Sequence, residues 1–303
     1  TSSTVPPTAN RQIRTFKMIE ALEHSPLESS RFGIRVARWR GKSLDAPKLA
    51  REIYTHRADL VILRMPSEHS ADANHLSVYG LHLQYADTLV YHEVALLAGE
   101  PLPYGNQDVT FAPARAEDAA LLEELVRICF TSYQSHYSAN PRLDQMAVRE
   151  GYVEWALQHV KQRKDSLHTW LAKRDNKIIG FAACREDTDT GDAEIVLNGV
   201  HPDHAGGGVY SDLVRFVRGL YATRGRKRLL ISTQITNRAA QKAWARQGFR
   251  LLESWTTFHL NPWLSAGELA IDANITFGYA PPAQVIQAQL RELVPEVVFQ
   301  RTE

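Results

Sequence analysis

The sequence has only two cysteines, no excess of charge of either sign and no long apolar run. Cys129 and Cys184 are too few and too far apart for a disulfide framework or a metal site, so we expect both to pack in the interior. The 35 basic and 34 acidic residues nearly cancel, which does not favour nucleic-acid binding. No apolar stretch approaches the roughly 20 residues that cross a bilayer, and the first ten residues contain no signal-peptide core. These absences predict a cytoplasmic protein that binds no nucleic acid, no membrane and no metal.

The glycine motifs that most often bind nucleotides are absent as well. The sequence contains neither Gly-x-Gly-x-x-Gly nor the Gly-Lys-Ser/Thr of a P-loop. It does contain three consecutive glycines at 206–208, between a strand that ends near Val200 and a helix that begins near Ser211. Glycines leave backbone N–H groups accessible, and a helix N-terminus adds unpaired donors and a positive dipole end, so this turn suits a phosphate group. Taken alone, such a cluster is more often an ordinary loop.

A second pattern follows this helix. Residues 228–234 form an apolar strand with a polar end, Asn237 is a favoured helix N-cap, and Gly248 suits a helix end. The order of glycine turn, helix, strand and capped helix resembles the coenzyme A segment of the GNAT acyltransferase superfamily. There the last helix reads Asn-x-x-Ala-x-x-x-Tyr-x-x-x-Gly-Phe, and this sequence matches it at Asn237, Ala240, Gly248 and Phe249.

The sequence departs from the superfamily at two places. The turn of the superfamily reads Gln/Arg-x-x-Gly-x-Gly/Ala, and only its central glycine is kept, at Gly208, because Ala205 and Tyr210 hold the outer positions. Trp244 replaces the tyrosine that protonates the departing thiolate in related enzymes, and an indole N–H is a poor acid. Tyr210 could take over that role, but we favour a thiolate stabilised by N–H donors without a dedicated acid. Trp244 would then line the pantetheine or acyl tunnel, or simply pack.

The remaining elements follow the order of the superfamily. Hydrophobic periodicity predicts strands at 109–115 and 193–200, helices at 117–129 and 143–160, and a hairpin over 168–183. An earlier α/β unit contains a helix at 46–56, a strand at 59–64 and two short segments at 79–83 and 87–91. We therefore predict an α/β fold in which a GNAT acyltransferase domain has a mixed, mostly antiparallel central sheet and follows a smaller α/β domain. The predicted division is a flexible lead at 1–10, a small α/β domain at 11–105, the GNAT domain at 106–260 and a strand-helix extension at 261–303.

The segment between the first two helices of the GNAT domain carries a finer resemblance. Residues 130–143, with Ser135, His136 and Tyr137 at their centre, are similar to the substrate segment of sugar-nucleotide N-acyltransferases of the dTDP-fucosamine acetyltransferase type. Those enzymes acylate an amino-deoxysugar that is attached to a nucleoside diphosphate. The resemblance implies that Ser135, His136, Tyr137 and Gln234 bind such a substrate. Alternatively, Tyr137 packs between the two helices while His136 faces water.

The resemblance also implies acetyl-coenzyme A or another acyl-coenzyme A as the cofactor. Pantetheine would extend along the strand that enters the turn, and main-chain N–H groups at a bulge near Gly199 and Val200 would bond the thioester oxygen. The pyrophosphate would lie on residues 205–210. The implied cofactor-binding residues are Gly199, Val200, Ala205, Gly206, Gly207, Gly208, Val209, Tyr210, Asn237, Gln241 and Trp244.

The sequence leaves the base that deprotonates the amine open. Candidates are His201, His204, Glu194, His259 and Asn198 with a bound water. Period-two alternation would place Val196 and Asn198 on the same strand face as Glu194. The predicted catalytic residues are Asn198, His201 and Trp244.

These observations predict an enzyme that transfers an acyl group, most simply acetyl, from coenzyme A to the amine of a nucleotide-linked amino-deoxysugar. Two alternatives stay open. The acceptor could be another small amine, such as an antibiotic or an amino acid. The altered turn and the missing tyrosine also fit a coenzyme A-binding module without catalysis. An apolar stripe on a predicted helix at 284–293 is compatible with a homodimer.

Overall fold

We describe a computed structural model of the protein, which covers residues 19–100, 102–161 and 166–262. The predicted lead at 1–10, and the strand and helix of the predicted extension, lie outside these ranges, as does the helix that suggests a homodimer. Within the described ranges, no helix is long and apolar enough to cross a membrane.

The described chain contains ten strands, six α-helices and short 3-10 segments. The strands are β1 (Ile19–His24), β2 (Val36–Arg40), β3 (Leu60–Pro66), β4 (Leu83–Ala95), β5 (Thr110–Pro113), β6 (Leu167–Arg174), β7 (Lys177–Asp187), β8 (Asp192–Val200), β9 (Arg228–Gln234) and β10 (Arg250–Leu260). The helices are α1 (Pro26–Phe32), α2 (Ala46–Thr55), α3 (Ala119–Cys129), α4 (Gln145–Lys161), α5 (Val209–Thr223) and α6 (Arg238–Ala245). The 3-10 segments are Ser67–Tyr79, Ala116–Asp118, His136–Ala139 and Pro202–His204.

All ten strands join one sheet in the order β1-β2-β3-β10-β4-β9-β8-β7-β6-β5. Only the β2–β3 and β8–β9 pairs are parallel, so the sheet is mixed and mostly antiparallel, which confirms the predicted fold class. Strand β4, from the first part of the chain, lies between β9 and β10 from the last part. The sheet thus continues across the predicted boundary near residue 105, and the division into two domains stays a prediction.

Helices cover both faces of the sheet around β7, β8 and β9. On one face, α3 and α4 bury Leu122, Leu125 and Val153 against β6 and β7. On the other face, α5 and α6 bury Leu213 and Trp244 against β8 and β9. Helix α5 can do so because its apolar residues recur three or four positions apart and form a single stripe. Helices therefore cover both faces of this inner part of the sheet, around β7, β8 and β9.

The short segment predicted at 79–83 is wrong, and the one predicted at 87–91 is part of a longer strand. Tyr79 ends a 3-10 segment at Gly80, which has a φ of 75°, and residues 83–95 form one long strand. The alternation that would reveal this strand is broken by a register shift between Tyr85 and Asp87. The sequence interpretation also missed β1 and α1, whereas the strand that ends the superfamily's order is present as β10 and joins the two parts of the chain.

Candidate active site

Strands β8 and β9 pair over only part of their length. Residues 192–195 pair with residues 228–231, after which β9 continues to pair with β4 alone. Residues 197–200 still pair with β7 on their other side. Their backbone groups on the β9 side therefore have no strand partner, and the two strands separate towards their carboxyl ends. We call this gap the strand opening, and an extended ligand can pair with such a free edge through main-chain hydrogen bonds.

A β-bulge lies at Val196, where the strand opening begins. Leu197 pairs with Ala183, whereas Ile195 pairs with Cys184, so one extra residue stands in β8 between these pairs. Such a bulge leaves a backbone group outside the regular ladder and turns the strand locally. The bulge predicted near Gly199 and Val200 is therefore observed earlier in the strand.

The bulge also changes the faces of β8. Val196 packs with the α3 and α4 cluster, whereas Val200 packs with the α5 and α6 cluster. The prediction that Val196 and Asn198 share one face is wrong, because the extra residue interrupts period-two alternation. Asn198 shares the face of Val200, and its half-buried side chain makes no hydrogen bond within the described residues. It is thus available to a ligand beside the strand opening.

The glycine turn lies directly beyond the end of β8. Gly206, Gly207 and Gly208 are exposed, and their N–H groups donate no hydrogen bond within the described residues. Gly206 and Gly208 have φ values of 80° and 87°, which side chains rarely adopt. Gly208 is the N-cap of the 15-residue α5, whose first turn adds Val209 and Tyr210 with their own unpaired N–H groups. The exposed Ala205 leads into this cradle, which suits a phosphate or pyrophosphate.

The buried carboxylate of Asp212 supports the glycine turn through hydrogen bonds to residues 105 and 106. Asp212 accepts hydrogen bonds from the backbone N–H groups of Gly105 at 3.0 Å and Asn106 at 2.9 Å. Burial opposes its charge, but the hydrogen bonds from Asn106 and Gly105 and the nearby Arg215 bring the pKa of Asp212 below its usual range. The Asn106 amide in turn donates to the carbonyl of Gly207 at 3.0 Å. The turn is thus held in place before any ligand arrives.

His201 and His204 lie in the 3-10 segment before the glycine turn. Nδ1 of His201 accepts the backbone N–H of Asp203 at 3.2 Å and caps that segment. Nδ1 of His204 lies 3.2 Å from Nη1 of Arg174, which also forms an ion pair with Asp108. The observed contacts of His201 therefore shape the approach to the turn, and its catalytic role stays a prediction.

Asn237 and Gln241 shape the turn between β9 and α6. Asn237 accepts the N–H of Ala240 at 3.2 Å and donates to the hydroxyl of Thr233 at 3.0 Å. The amide of Gln241 donates to the carbonyl of Ile235 at 2.9 Å. Both predicted cofactor-binding residues thus fix the far wall of the strand opening.

Trp244 and Tyr210 meet below the strand opening, on the α5 and α6 side. The buried Trp244 donates from Nε1 to the hydroxyl of Tyr210 at 2.8 Å. Burial raises the pKa of Tyr210, and the bond from Trp244 opposes that shift. The ring of His92 contacts Trp244 edge-on, with 5.2 Å between the ring centroids. His92 pairs with Ile231, which is the last residue of β9 that pairs with β8. A phenol therefore stands beside the indole that replaces the superfamily's tyrosine.

A pocket of about 270 Å³ lies at the carboxyl end of β9, beside the end of α3. It is lined by Cys129, Ser132, Tyr133, Gln134, Gln234, Thr236 and Asn237. The hydroxyl of Tyr133 donates to Oε1 of Gln234. We call this the acceptor pocket, because it adjoins the strand opening from the side opposite to Trp244.

Cys129 contributes packing to this region. Burial raises the pKa of its thiol to about 12, which makes it a poor nucleophile. A Cβ atom on Gly199 would lie only 3.0 Å from the Cys129 sulfur, so glycine allows α3 to approach β8 closely. Close helix packing is thus an observed role of Gly199, beside its predicted contact with the cofactor.

Three of the four predicted substrate residues do not line the acceptor pocket. Gln234 does, but Ser135, His136 and Tyr137 lie in the loop between α3 and α4. Ser135 and His136 are buried there, and Tyr137 is half-buried. Nδ1 of His136 lies 3.0 Å from Nε2 of His259, and His136 is only 8% exposed, so the alternative that it faces water is wrong. The hydroxyl of Tyr137 donates to the buried carboxylate of Glu28. These residues form a polar cluster next to the pocket.

The sequence interpretation missed a row of polar residues across three strands. Arg64 of β3 and Asp87 of β4 are each paired with Thr257 of β10. Nε of Arg64 donates to the Thr257 hydroxyl at 2.9 Å, over a sequence separation of 193 residues. No local pattern signals this row, because the strand order alone brings it together. In the described ranges, no group of three or more side chains is arranged to hold a metal ion.

Comparison with known proteins agrees with this architecture. Residues 121–249 match the model of the acetyltransferase (GNAT) family. A search of curated proteins finds no match. Among solved structures, a functionally unknown conserved protein from Staphylococcus epidermidis is 12% identical with a TM-score of 0.51, covering 75% of this chain and 84% of its own.

Two further structures carry the superfamily's name. A GCN5-related N-acetyltransferase from Sphaerobacter thermophilus is 16% identical with a TM-score of 0.50, covering 68% of this chain and 62% of its own. A tandem GNAT protein from the clavulanic acid biosynthesis pathway is 14% identical with a TM-score of 0.50, covering 74% of each chain. At these identities the likeness concerns the fold alone. The match to the GNAT family model spans residues 121–249, which is less than half of the 303-residue chain.

Proposed function

We propose that this protein transfers an acyl group, most simply acetyl, from a coenzyme A thioester to the amine of a nucleotide-linked amino-deoxysugar. The observation that carries the proposal is the free edge of β8, which leads straight into the exposed glycine turn. A strand edge for an extended pantetheine chain and a cradle for a pyrophosphate follow one another in the order that coenzyme A requires.

The residues of the cofactor site fit this ligand in chemical terms. Exposed N–H groups at Gly206 to Gly208 offer donors to phosphate oxygens, and Arg174 adds positive charge near the turn. The backbone of residues 196–200 offers donors and acceptors to the amides of pantetheine. A bound acyl-coenzyme A supplies a carbonyl carbon activated by its thioester.

The chain's own part in the reaction is mostly orientation. An N–H group near the bulge at Val196 would stabilise the charge that develops on the thioester oxygen. The acceptor pocket would hold the amine across the strand opening, so that attack is effectively intramolecular. The amine nitrogen then bonds the acyl carbon while the carbon–sulfur bond breaks. Backbone N–H donors would stabilise the thiolate, and Asn198 would position a water that takes up a proton.

The nucleotide-sugar acceptor rests on narrower support. The segment that resembles sugar-nucleotide N-acyltransferases supplies Tyr133 to the acceptor pocket, and Gln234 lines it as well. The same segment places His136 and Tyr137 in the adjoining polar cluster, near the guanidinium groups of Arg38 and Arg64. Positive charge beside an amine pocket suits an acceptor that also carries a diphosphate.

A thiol-release assay with acetyl-coenzyme A tests the proposal. The acceptors are dTDP- and UDP-linked amino-deoxysugars, with free amino acids and aminoglycosides as controls. Release with a nucleotide sugar, absent with its hydroxy counterpart, is the expected result. Turnover of amino acids or aminoglycosides alone would overturn the nucleotide-sugar acceptor. Binding of coenzyme A without turnover of any amine would overturn catalysis and leave a binding module.

A further inference from the structure

Asp87 is a buried carboxylate that lies beside Thr257 and Gln234. The residue is 8% exposed. Burial raises the pKa of Asp87, while the Arg64 guanidinium and the polar groups of Thr257 and Gln234 act in the opposite direction. Buried carboxylates are costly, and groups of this kind concentrate at functional sites. The position of Asp87 therefore calls for a functional reason.

Gln234 connects Asp87 to the acceptor pocket. It pairs with Leu89 across β4 and β9, and Asp87 lies two residues from Leu89 on the same strand face. Oε1 of Gln234 accepts the hydroxyl of Tyr133, and the Gln234 side chain lies close enough to Asp87 to favour its charged form. A carboxylate only accepts hydrogen bonds, so it favours the orientation in which the amide NH₂ faces Asp87 and the amide oxygen faces Tyr133.

That orientation decides what Tyr133 offers to the pocket. Because its hydroxyl hydrogen is used by Gln234, the phenol oxygen presents lone pairs to a ligand. The charge of Asp87 also reaches this wall: after burial, it is among the causes that raise the pKa values of Tyr133 and Tyr152. A wall that accepts hydrogen bonds in a negative field favours an ammonium group over a neutral hydroxyl.

We propose that Asp87 is a positioning residue that acts through Gln234 and Tyr133 to make the acceptor pocket selective for a protonated amine. This proposal rests on the proposed acyl transfer and deepens it. The bound ammonium first loses one proton to solvent, which frees the nitrogen lone pair for attack on the acyl carbon. As the carbon–nitrogen bond forms and the carbon–sulfur bond breaks, the nitrogen loses its second proton to the departing thiolate, and Asp87 takes up neither proton.

The test compares two variants of the full chain, D87N and E93Q. Glu93 lies on the same strand and pairs with Arg228 at 2.8 Å, so E93Q makes the same chemical change at a site with a different partner. The probe is the amine that the wild type acylates fastest, together with its hydroxy counterpart as a competitive inhibitor. We expect D87N to raise KM for the amine by about tenfold or more and to leave KM for acetyl-coenzyme A within about twofold. The preference for the amine over the hydroxy counterpart should fall by the same factor, and E93Q should match the wild type.

A double-mutant cycle with Y133F separates positioning from a general structural effect. If Asp87 acts through Tyr133, D87N/Y133F raises KM for the amine no further than the single variants do, whereas independent effects multiply.

Two results would overturn the role of Asp87: an unchanged amine KM in D87N, or multiplicative effects in the cycle. A wild-type protein that acylates no amine refutes the proposed function itself, and the role of Asp87 falls with it. If the wild type is active and D87N has the same KM for the amine, only the role of Asp87 is refuted.

Discussion

The indole of Trp244 donates a 2.8 Å hydrogen bond to the hydroxyl of Tyr210 on the layer below the strand opening. The bond leaves the Tyr210 hydrogen free to point elsewhere, because the oxygen serves as the acceptor. Two explanations of the missing superfamily tyrosine therefore make different predictions. Either Tyr210 protonates the thiolate, or this contact is structural and no dedicated acid exists.

We expect Y210F to keep kcat within about tenfold of the wild type, since loss of a general acid costs on the order of 10²- to 10⁴-fold. Its free energy of unfolding should fall by about 1–3 kcal/mol, because the buried indole N–H loses its acceptor. Thiol-release kinetics and urea unfolding measure the two effects. W244F/Y210F serves as the control, since removal of both polar partners should cost less than the sum of the single changes. A hundredfold loss of kcat in Y210F would instead identify Tyr210 as the acid.

The buried His136–His259 pair should make stability depend on pH. Burial, with Arg64 and Arg38 nearby, lowers the pKa of His259 to about 4 against the opposing effect of Glu28, and burial lowers the pKa of His136 well below its usual value. Both rings are neutral when folded, so the unfolded chain binds more protons below its histidine pKa of about 6.5. The stability contribution is complete above that pH and is lost as pH falls towards 4, by roughly 3 kcal/mol for His259. Urea unfolding of wild type and H259Q between pH 7.5 and 4.5 tests this. If the free energy of unfolding changed with pH equally in the two proteins, the prediction would be contradicted.

Glu28 should contribute stability over a lower pH range. Burial alone would raise the pKa of Glu28, but the bidentate contact with Arg38 at 2.5 Å and the bond from Tyr137 bring the pKa below its usual range. Its contribution is therefore present above about pH 4.3 and is lost as pH falls through the lower folded pKa. At pH 7, E28Q should lower the free energy of unfolding by about 1.5–3 kcal/mol.

The matched control for E28Q is E154Q. Glu154 pairs with Arg31 at 2.6 Å, but its side chain is 56% exposed. Exposed pairs typically contribute less than about 1 kcal/mol, so E154Q should be nearly neutral. Equal losses of the free energy of unfolding in the two variants would show that the burial of Glu28 adds nothing to the stability of its ion pair.

Gly207 allows the phosphate cradle to be tested without strain in the fold. Its φ lies outside the left-handed region, and a Cβ atom would meet only the carbonyl of His204 at 4.0 Å. We expect G207V to leave the melting temperature unchanged and to raise Kd for coenzyme A by about tenfold or more, equivalent to roughly 1.4 kcal/mol. Isothermal titration calorimetry measures the affinity, and G219A, at an ordinary contact within α5, is the control. Full affinity in G207V would place the pyrophosphate elsewhere.

Local signals predicted the second part of the fold well. The capping role of Asn237, the turn at Gly208 and the helix that follows this turn each depend on neighbours within a few residues, and all are present in the structure. The bulge at Val196 was beyond such reasoning, because it depends on how β8 pairs with β7 rather than on a distinctive residue. For the same reason, regular alternation assigned Val196 and Asn198 to one face incorrectly.

The acceptor side could be predicted only in part. Tyr133 and Gln234 lie in segments that sequence resemblance pointed to, although Tyr133 itself was not singled out. Asp87 and Arg64 depend on three strands from both ends of the described chain meeting in one register. A single sequence contains no short-range pattern for such a meeting, so neither residue was expected at the site.

The insertion of β4 between β9 and β10 has a consequence for the order of events during synthesis. The ribosome completes β4 well before β9 and β10 exist, so an early segment must wait with two open edges until late segments close around it. Because these pairings join distant parts of the chain, we expect slow formation of the sheet and exposure of β4 to unwanted partners in the meantime. Asp87 takes its place opposite Thr257 only when β10 joins the sheet.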